Sequence, residues 1–451
     1  MRKPPIPLLL VVILLLGALL PQRAEADRLR LIRDAEIETI IRTYSTPLFQ
    51  AAGLSPQGIR LYLVQDRALN AFVAGGLNMF INTGLLMDAE HAGQVIGVIA
   101  HETGHLSGGH LATRGTALEQ TRGALIATYL LGLGAALATG EPGVGAAVIS
   151  GGQDVALRGL LQYTRTQESA ADQAAVTLLK ATRQSPRGLL EFMQKLEGQE
   201  VLLTDNQDPY LRTHPLTQER ITFLENAVSE SPFADLPATP ELTMMHDRMR
   251  AKLIGFLRPL SQVLRVYPED DVSLPARYAR AIAYYRVPDI DKALVEIDGL
   301  LAENPEDPYF RELRGQMLLE HGRVAEALPE YQAAANALPN APQIRQALAK
   351  AQVQMNDPEM DRAALVNLAE TLRQEPSNPS AWRLAAVAHG RLGDQGMTAL
   401  ALAEGALARG RFAEARDRAD HAIGLLEKNS ASWLRAQDLK NEAERRVKRA
   451  E

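Results

Sequence analysis

The sequence predicts an α+β domain followed by an all-α array of repeated helical hairpins. Three observations carry this. Alternating apolar stretches, "IRLYLVQD" from Ile59 and "NAFVAGGLNMFIN" from Asn70, precede a strongly helical segment. The prolines of "SPFADLPATPEL", Ser231 to Leu242, cluster like a connection between packed units. Beyond them the sequence turns helical and self-similar. A chain of 451 residues also exceeds one ordinary core and, at roughly 150 residues per domain, implies two or three.

Composition narrows the function. With 46% hydrophobic and 23% charged residues and a net charge of -6, the chain offers no basic surface for a phosphate backbone, so nucleic acid is not an expected partner. It has no cysteine, which excludes disulfides, thiolate catalysis and sulfur-ligated zinc. Any metal must rest on histidine and carboxylate.

Residues 1–26 read as a secretory signal: Arg2 and Lys3, an apolar run from Leu8 to Leu20, and Ala24-Glu25-Ala26 in small-x-small order. Cleavage is expected after Ala26. As an uncleaved anchor, that run is short for about 30 Å of hydrocarbon. No lipobox cysteine follows.

From Asp27 to Phe49, Leu29, Ile32, Ile37, Ile40 and Ile41 fall at roughly helical spacing, and a small sheet is expected next. Ala92, Val95, Ile96, Ile99 and Ala100 then predict a helix from His91 to about Leu106, buried on one side. Residues 124–152 are apolar and glycine-rich, and Glu141-Pro142 divides them into pieces too short to cross a bilayer. They are expected to form a packed hairpin or lid, with interfacial membrane contact as the alternative. Helical periodicity returns from Leu157 to Leu196, and a boundary between 230 and 270 gives domains 27–260 and 261–451.

In the second domain, "GRVAEALPEYQAAANALP" from Gly322 is echoed by "GRFAEARDRADHAIGLL" from Gly410. In a 34-residue unit starting at Pro308, Gly315, Ala327, Tyr331, Ala334 and Pro339 occupy the small, aromatic and proline positions of a tetratricopeptide repeat. Tyr284, Ala293 and Pro305 fit one unit earlier; Ala364, Pro376 and Trp382 fit later, for about four repeats. Such an array presents a curved surface suited to a peptide segment.

The chemistry concentrates in "VIAHETGHLSGGH", Val98 to His110. His101 and His105 lie four apart on one helical face and can bind one metal, while Glu102 can face a metal-bound water as base. A third protein ligand is required. The metzincin pattern has Gly108 in place but needs histidine at 111, where Leu111 stands; His110 is one residue off, about 100° around a helix. His110 therefore reads as a hydrogen-bonded structural histidine, as does His91. The other candidate is "RTQESAADQAA", which sets Glu168 and Asp172 four apart among small residues that permit close helix approach.

HExxH followed by ExxxD resembles the gluzincin group that holds the HtpX-like and CaaX-prenyl-endopeptidase-type zinc metallopeptidases. The resemblance runs over roughly Ile59 to Leu224 and includes "NAFVAGGLNMFINTGLL" and "RTHPLTQERI" from Arg212. It implies a zincin-like fold, one Zn2+ per chain held by His101, His105 and Glu168, and Glu102 as general base. Asp172 would orient a liganding imidazole through its other nitrogen. The segment Asn70, Ala71, Phe72, Val73, Ala74 and Gly75 looks like the strand that receives an extended substrate. His214 would stabilise an oxyanion or occupy the open coordination position, with Arg220 nearby as an anion partner.

A signal sequence joined to a repeat array resembles the periplasmic members of this family. That implies a periplasmic endopeptidase in outer-membrane protein quality control. Unassembled or misfolded outer-membrane proteins would be its substrates, with the assembly machinery met through the repeats. The alternative is a chaperone or adaptor whose zinc site is held shut by His214 and the lid.

Overall fold

A computed structural model describes residues 29–110, 128, 131, 142–200 and 214–450. The N-terminal segment expected to be a signal sequence and most of the apolar 124–152 segment lie outside the described residues.

Strand β1 (Leu31–Ile32) leads into helix α1 (Ala35–Ala51), which Asp34 caps by accepting from the Ile37 amide. The helix thus starts later than its apolar spacing implies. Ile32 instead pairs with Leu63 of β2 (Arg60–Val64). Strands β3 (Ala71–Ala74) and β4 (Asn78–Asn82) form a hairpin whose turn is made by Gly75 (φ +59°) and Gly76 (φ +93°), a backbone region open to glycine. The sheet order is β1-β2-β4-β3, with β2 and β4 parallel and the other pairs antiparallel. Period-two alternation sends Leu63, Ala71, Met79 and Ile81 into the core. On the other face Tyr62, Phe80 and Phe72 stack in a row at 4.9 Å.

After α2 (Thr83–Asp88) comes the central helix α3 (Ala92–Ser107), whose residues from Val95 to Ala100 are all buried among the apolar residues or against neighbouring helices. It packs against α4 (Pro142–Ala181) and α5 (Arg187–Glu200), and the core is completed by α6 (Gln218–Glu230) and α7 (Pro240–Leu257). Each fully buried Leu or Ile here contributes ~1.5–3 kcal/mol. No helix among the described residues is long and apolar enough to cross a membrane.

Beyond the short α8 (Leu260–Val266), helices run as antiparallel hairpins. These are α9 (Leu274–Arg286) with α10 (Ile290–Glu303), α11 (Pro308–Glu320) with α12 (Val324–Ala337), α13 (Pro342–Gln354) with α14 (Pro358–Gln374), and α15 (Pro379–Arg391) with α16 (Gln395–Ala408). The last is α17 (Phe412–Leu425) with α18 (Ala431–Ala450). Gly315 of α11 faces the Tyr331 ring of α12 so closely that a Cβ would stand 3.1 Å from it, the small-against-aromatic contact the repeat pattern requires. The echoed glycines Gly322 and Gly410 both adopt positive φ and precede α12 and α17.

Candidate metal centre

His101 and His105 sit one turn apart on α3, buried, with rings pointing toward α4. Helix α4 brings Glu168 and Asp172 to them, also one turn apart and buried. The crossing is close because residue 104 is glycine: a Cβ there would lie 2.8 Å from the Ala171 carbonyl oxygen. His214 enters from the stretch before α6 and is likewise buried.

His101, His105, Glu168 and His214 form a cluster able to hold a metal ion. His101 Nε2 lies 3.2 Å from His105 Nε2, 3.3 Å from Glu168 Oε2 and 3.4 Å from His214 Nδ1. His105 Nε2 to Glu168 Oε1 is 3.4 Å, and His214 Nδ1 to Glu168 Oε2 is 3.1 Å. Donors about 2.0 Å from a tetrahedral zinc stand about 3.3 Å from one another, and these separations match that spacing. The donor set fits the ion that the family resemblance implies.

The cluster is anchored from behind. His101 Nδ1 is 2.9 Å from Asp172 Oδ1. Arg220 Nε and Nη2 donate to the two Asp172 oxygens at 2.6 and 2.9 Å, and its Nη1 reaches Glu168 Oε2 at 3.1 Å and the Pro215 carbonyl at 2.9 Å. The anions that the guanidinium partners are the protein's own carboxylates. His105 Nδ1 lies 2.9 Å from His110 Nδ1, a partner that the sequence pattern does not specify. The signal for it was Gly108-Gly109, which ends the helix and voids a helical-angle argument for residue 110.

Burial acts to lower the His101 pKa, but the Asp172 and Glu168 carboxylates outweigh it and raise it to about 9. Burial drives His105 the other way, down to about 3. Burial alone would raise Glu168, yet the three imidazoles hold it well below the usual carboxylate range. Glu102 is fully buried, which pushes its carboxyl up. Among the described residues neither of its oxygens has a hydrogen-bond partner; Oε1 is 3.4 Å from His214 Nε2 in an ion-pair contact. Such an orphaned carboxylate beside a donor cluster is poised to accept a proton.

Of the strand residues expected to receive substrate, Ala71 to Ala74 form β3, the edge of the sheet. Asn70 precedes it, buried, and Gly75 opens the following turn. Strand β3 pairs with β4 on one side, and among the described residues no strand pairs with its other side. His91, by contrast, is far along α3 at its N-cap and pairs with Glu191 at 2.6 Å.

Residues 32–228 match the profile of Peptidase family M48. A beta-barrel assembly-enhancing protease of Yersinia pestis is 27% identical over 409 residues, covering 89% of this chain and 80% of its own. The Escherichia coli K12 protein of that name is 24% identical with the same coverage. The crystal structure of a thermophilic TPR protein of Thermus thermophilus aligns with 42% of this chain and 98% of its own at 20% identity. Its TM-score of 0.24 is too low to bear on the fold. Residues 32–228 thus match peptidase family M48, all four donors of the cluster lie within that span, and the chain is a metallopeptidase.

Proposed function

We propose that the chain is a periplasmic zinc endopeptidase that acts on unassembled or misfolded outer-membrane proteins and meets them, or their assembly machinery, through the hairpin array. The observation that carries this is the spacing of the four donors, set at tetrahedral zinc separations by three separate chain segments. The signal-like residues 1–26 support export. That the relatives are beta-barrel assembly-enhancing proteases supports the substrate class. The peptidase unit is assigned to 27–260 and the array to 261–451, a division that leaves α7 with the former.

His101, His105 and Glu168 would hold one zinc ion. When bound, the metal supplies Lewis acidity toward a peptide carbonyl and an acidified water. The chain's residues do the rest. An extended substrate adds to β3 through main-chain hydrogen bonds, which places its backbone along the cleft independently of its sequence. Glu102, fully buried beside the donors, accepts the proton released as the scissile bond is attacked and returns it to the leaving amine. Asp172 holds His101 with Nε2 toward the metal.

His214 gives the same site a second setting. Its Nδ1 completes the tetrahedron while its Nε2 faces Glu102, so one ring covers both the fourth coordination position and the base. This favours a gated protease over a constitutively open one, and a chaperone-like adaptor is the limiting case in which the gate stays shut.

The test is hydrolysis of casein and of an unfolded outer-membrane protein by the purified full chain, with metal content measured alongside. Glu102→Gln is expected to keep its zinc and lose about 10²–10⁴ of the cleavage rate. Undiminished cleavage by that variant ends the proposed mechanism. His214→Ala is expected to cleave faster than wild type; a slower rate means that His214 serves the reaction and does not gate it.

A further inference from the structure

We propose that His110 is a positioning residue for His105, accepting a hydrogen bond from the His105 Nδ1–H and so fixing the tautomer in which Nε2 is free to bind metal. The inference rests on the metal reading given above and extends it to a residue outside the donor cluster.

Three features build this contact. His105 directs Nε2 at His101 and Glu168, so its remaining nitrogen, Nδ1, is the one that meets His110, at 2.9 Å. A ring nitrogen that coordinates a metal has no proton; the proton is then on Nδ1, and His110 Nδ1 must be the acceptor. His110 accordingly carries its own proton on Nε2.

The chain between them is shaped for this arrangement. Helix α3 ends at Ser107, and Gly109 takes φ +64°, which turns the backbone back over the last turn. Gly108 leaves the space for the returning ring: a Cβ there would stand 2.5 Å from His110 Nε2 and 2.9 Å from its Cδ2. The rings of His105 and His110 then meet edge to face, with centroids 5.0 Å apart. Gln167 of α4, next to Glu168, donates to the His110 carbonyl at 3.4 Å and ties the turn to the second ligand-bearing helix.

Each α3 imidazole therefore has its own partner behind it: Asp172 for His101 and His110 for His105. A neutral acceptor suits His105. Asp172 is neutralised by Arg220, whereas a neutral imidazole behind His105 needs no counter-charge.

The experiment compares zinc affinity, by chelator competition, and the visible spectrum of the cobalt(II)-substituted full chain. His110→Leu, which cannot accept, is expected to lose about 10–100-fold in affinity and to change the cobalt spectrum. His110→Asn places Oδ1 where Nδ1 was and is expected to restore both toward wild type. Gly108→Ala, whose methyl group takes the ring's space, should behave like His110→Leu, and it decides the matter should the leucine variant not fold. Wild-type affinity and spectrum in His110→Leu overturn the proposal, as does an asparagine variant no better than leucine. His101→Ala is the control: if it too binds zinc normally, the metal reading of the cluster fails, and the role of His110 with it.

Discussion

Arg220 forks onto Asp172 with two nitrogens and reaches Glu168 and the Pro215 carbonyl with the third. Burial alone would raise the Asp172 pKa; Arg220 and His101 outweigh it and hold the carboxyl below its ordinary value. One side chain therefore keeps a buried anion charged behind a ligand and fastens the loop that carries His214. Removing it strands that anion, and breaking a buried pair from one side costs ~3–5 kcal/mol. Arg220→Met is expected to lower the melting temperature and weaken zinc binding together. Adding Asp172→Asn should recover much of the stability, because no unpaired charge remains, and recover little of the zinc affinity. Thermal unfolding with parallel metal titration checks this; equal melting temperatures for the single variant and wild type would mean that the pair contributes nothing net. The resemblance of the Arg212 segment marks Arg220 as an anion partner without saying which anion it meets. Nothing local says that a residue 48 positions beyond Asp172 will grip it.

The crossing of α3 and α4 decides whether Glu168 reaches the histidines. Gly104, inside the HExxH turn, lets the helices touch, and a methyl group there would meet the Ala171 oxygen at 2.8 Å and the Ala174 Cβ at 3.1 Å. Gly104→Ala is a favourable change for an isolated helix, by ~1 kcal/mol. Here it must separate the axes, and zinc affinity is expected to fall at least about tenfold. An unchanged chelator-competition curve would show that the crossing absorbs a methyl group. Elements of this kind were readable because their apolar or liganding residues recur at helical or strand period: His101 with His105, Glu168 with Asp172, the β3–β4 alternation, and the small and aromatic positions around Gly315 and Tyr331. What period cannot reveal is where a period stops. Ile32 fits the helical spacing of α1 yet sits in a two-residue strand. His110 was weighed as if α3 continued, when the helix had already ended at Ser107. His214, more than a hundred residues from His101, follows no periodic signal.

A buried charged network joins the helices around the site to the first hairpins of the array, which fixes where the array stands relative to the cleft. Arg248 of α7 bonds Glu36 at 2.7 Å and Asp307 at 2.5 Å, with its guanidinium 4.4 Å from the Phe310 ring centroid. Lys252, almost fully buried, lies 2.8 Å from Asp34 and 3.3 Å from Glu36, and Tyr278 donates to Glu36 at 2.7 Å. Ala35 of α1 packs in one cluster with Leu318 and Tyr331 of the second hairpin, while Glu38 accepts from Gln343 at 2.7 Å and Arg33 reaches Glu375 on the third, so with Tyr278 the start of the chain touches three successive hairpins. Glu312 stands at this joint with an excess of anions around one lysine. Burial raises its pKa, and although Lys252 opposes the shift, Asp34 and Glu36 add to it, for a value of about 7 against an ordinary 4.5. The sign follows from linkage. Below about 4.5 both folded and unfolded chains hold the proton and nothing is lost. Between 4.5 and 7 the unfolded chain releases it first, so stability falls as pH rises through that window. Glu312→Gln removes the ionisable group while keeping its size. Its melting temperature relative to wild type is expected to increase from about pH 5 to about pH 8, by ~2–4 °C for each kcal/mol of relieved strain. A difference that stays constant across that range would mean that Glu312 titrates as an ordinary surface carboxylate. The joint would then be held by the Arg248 and Lys252 pairs without a pH-sensitive member.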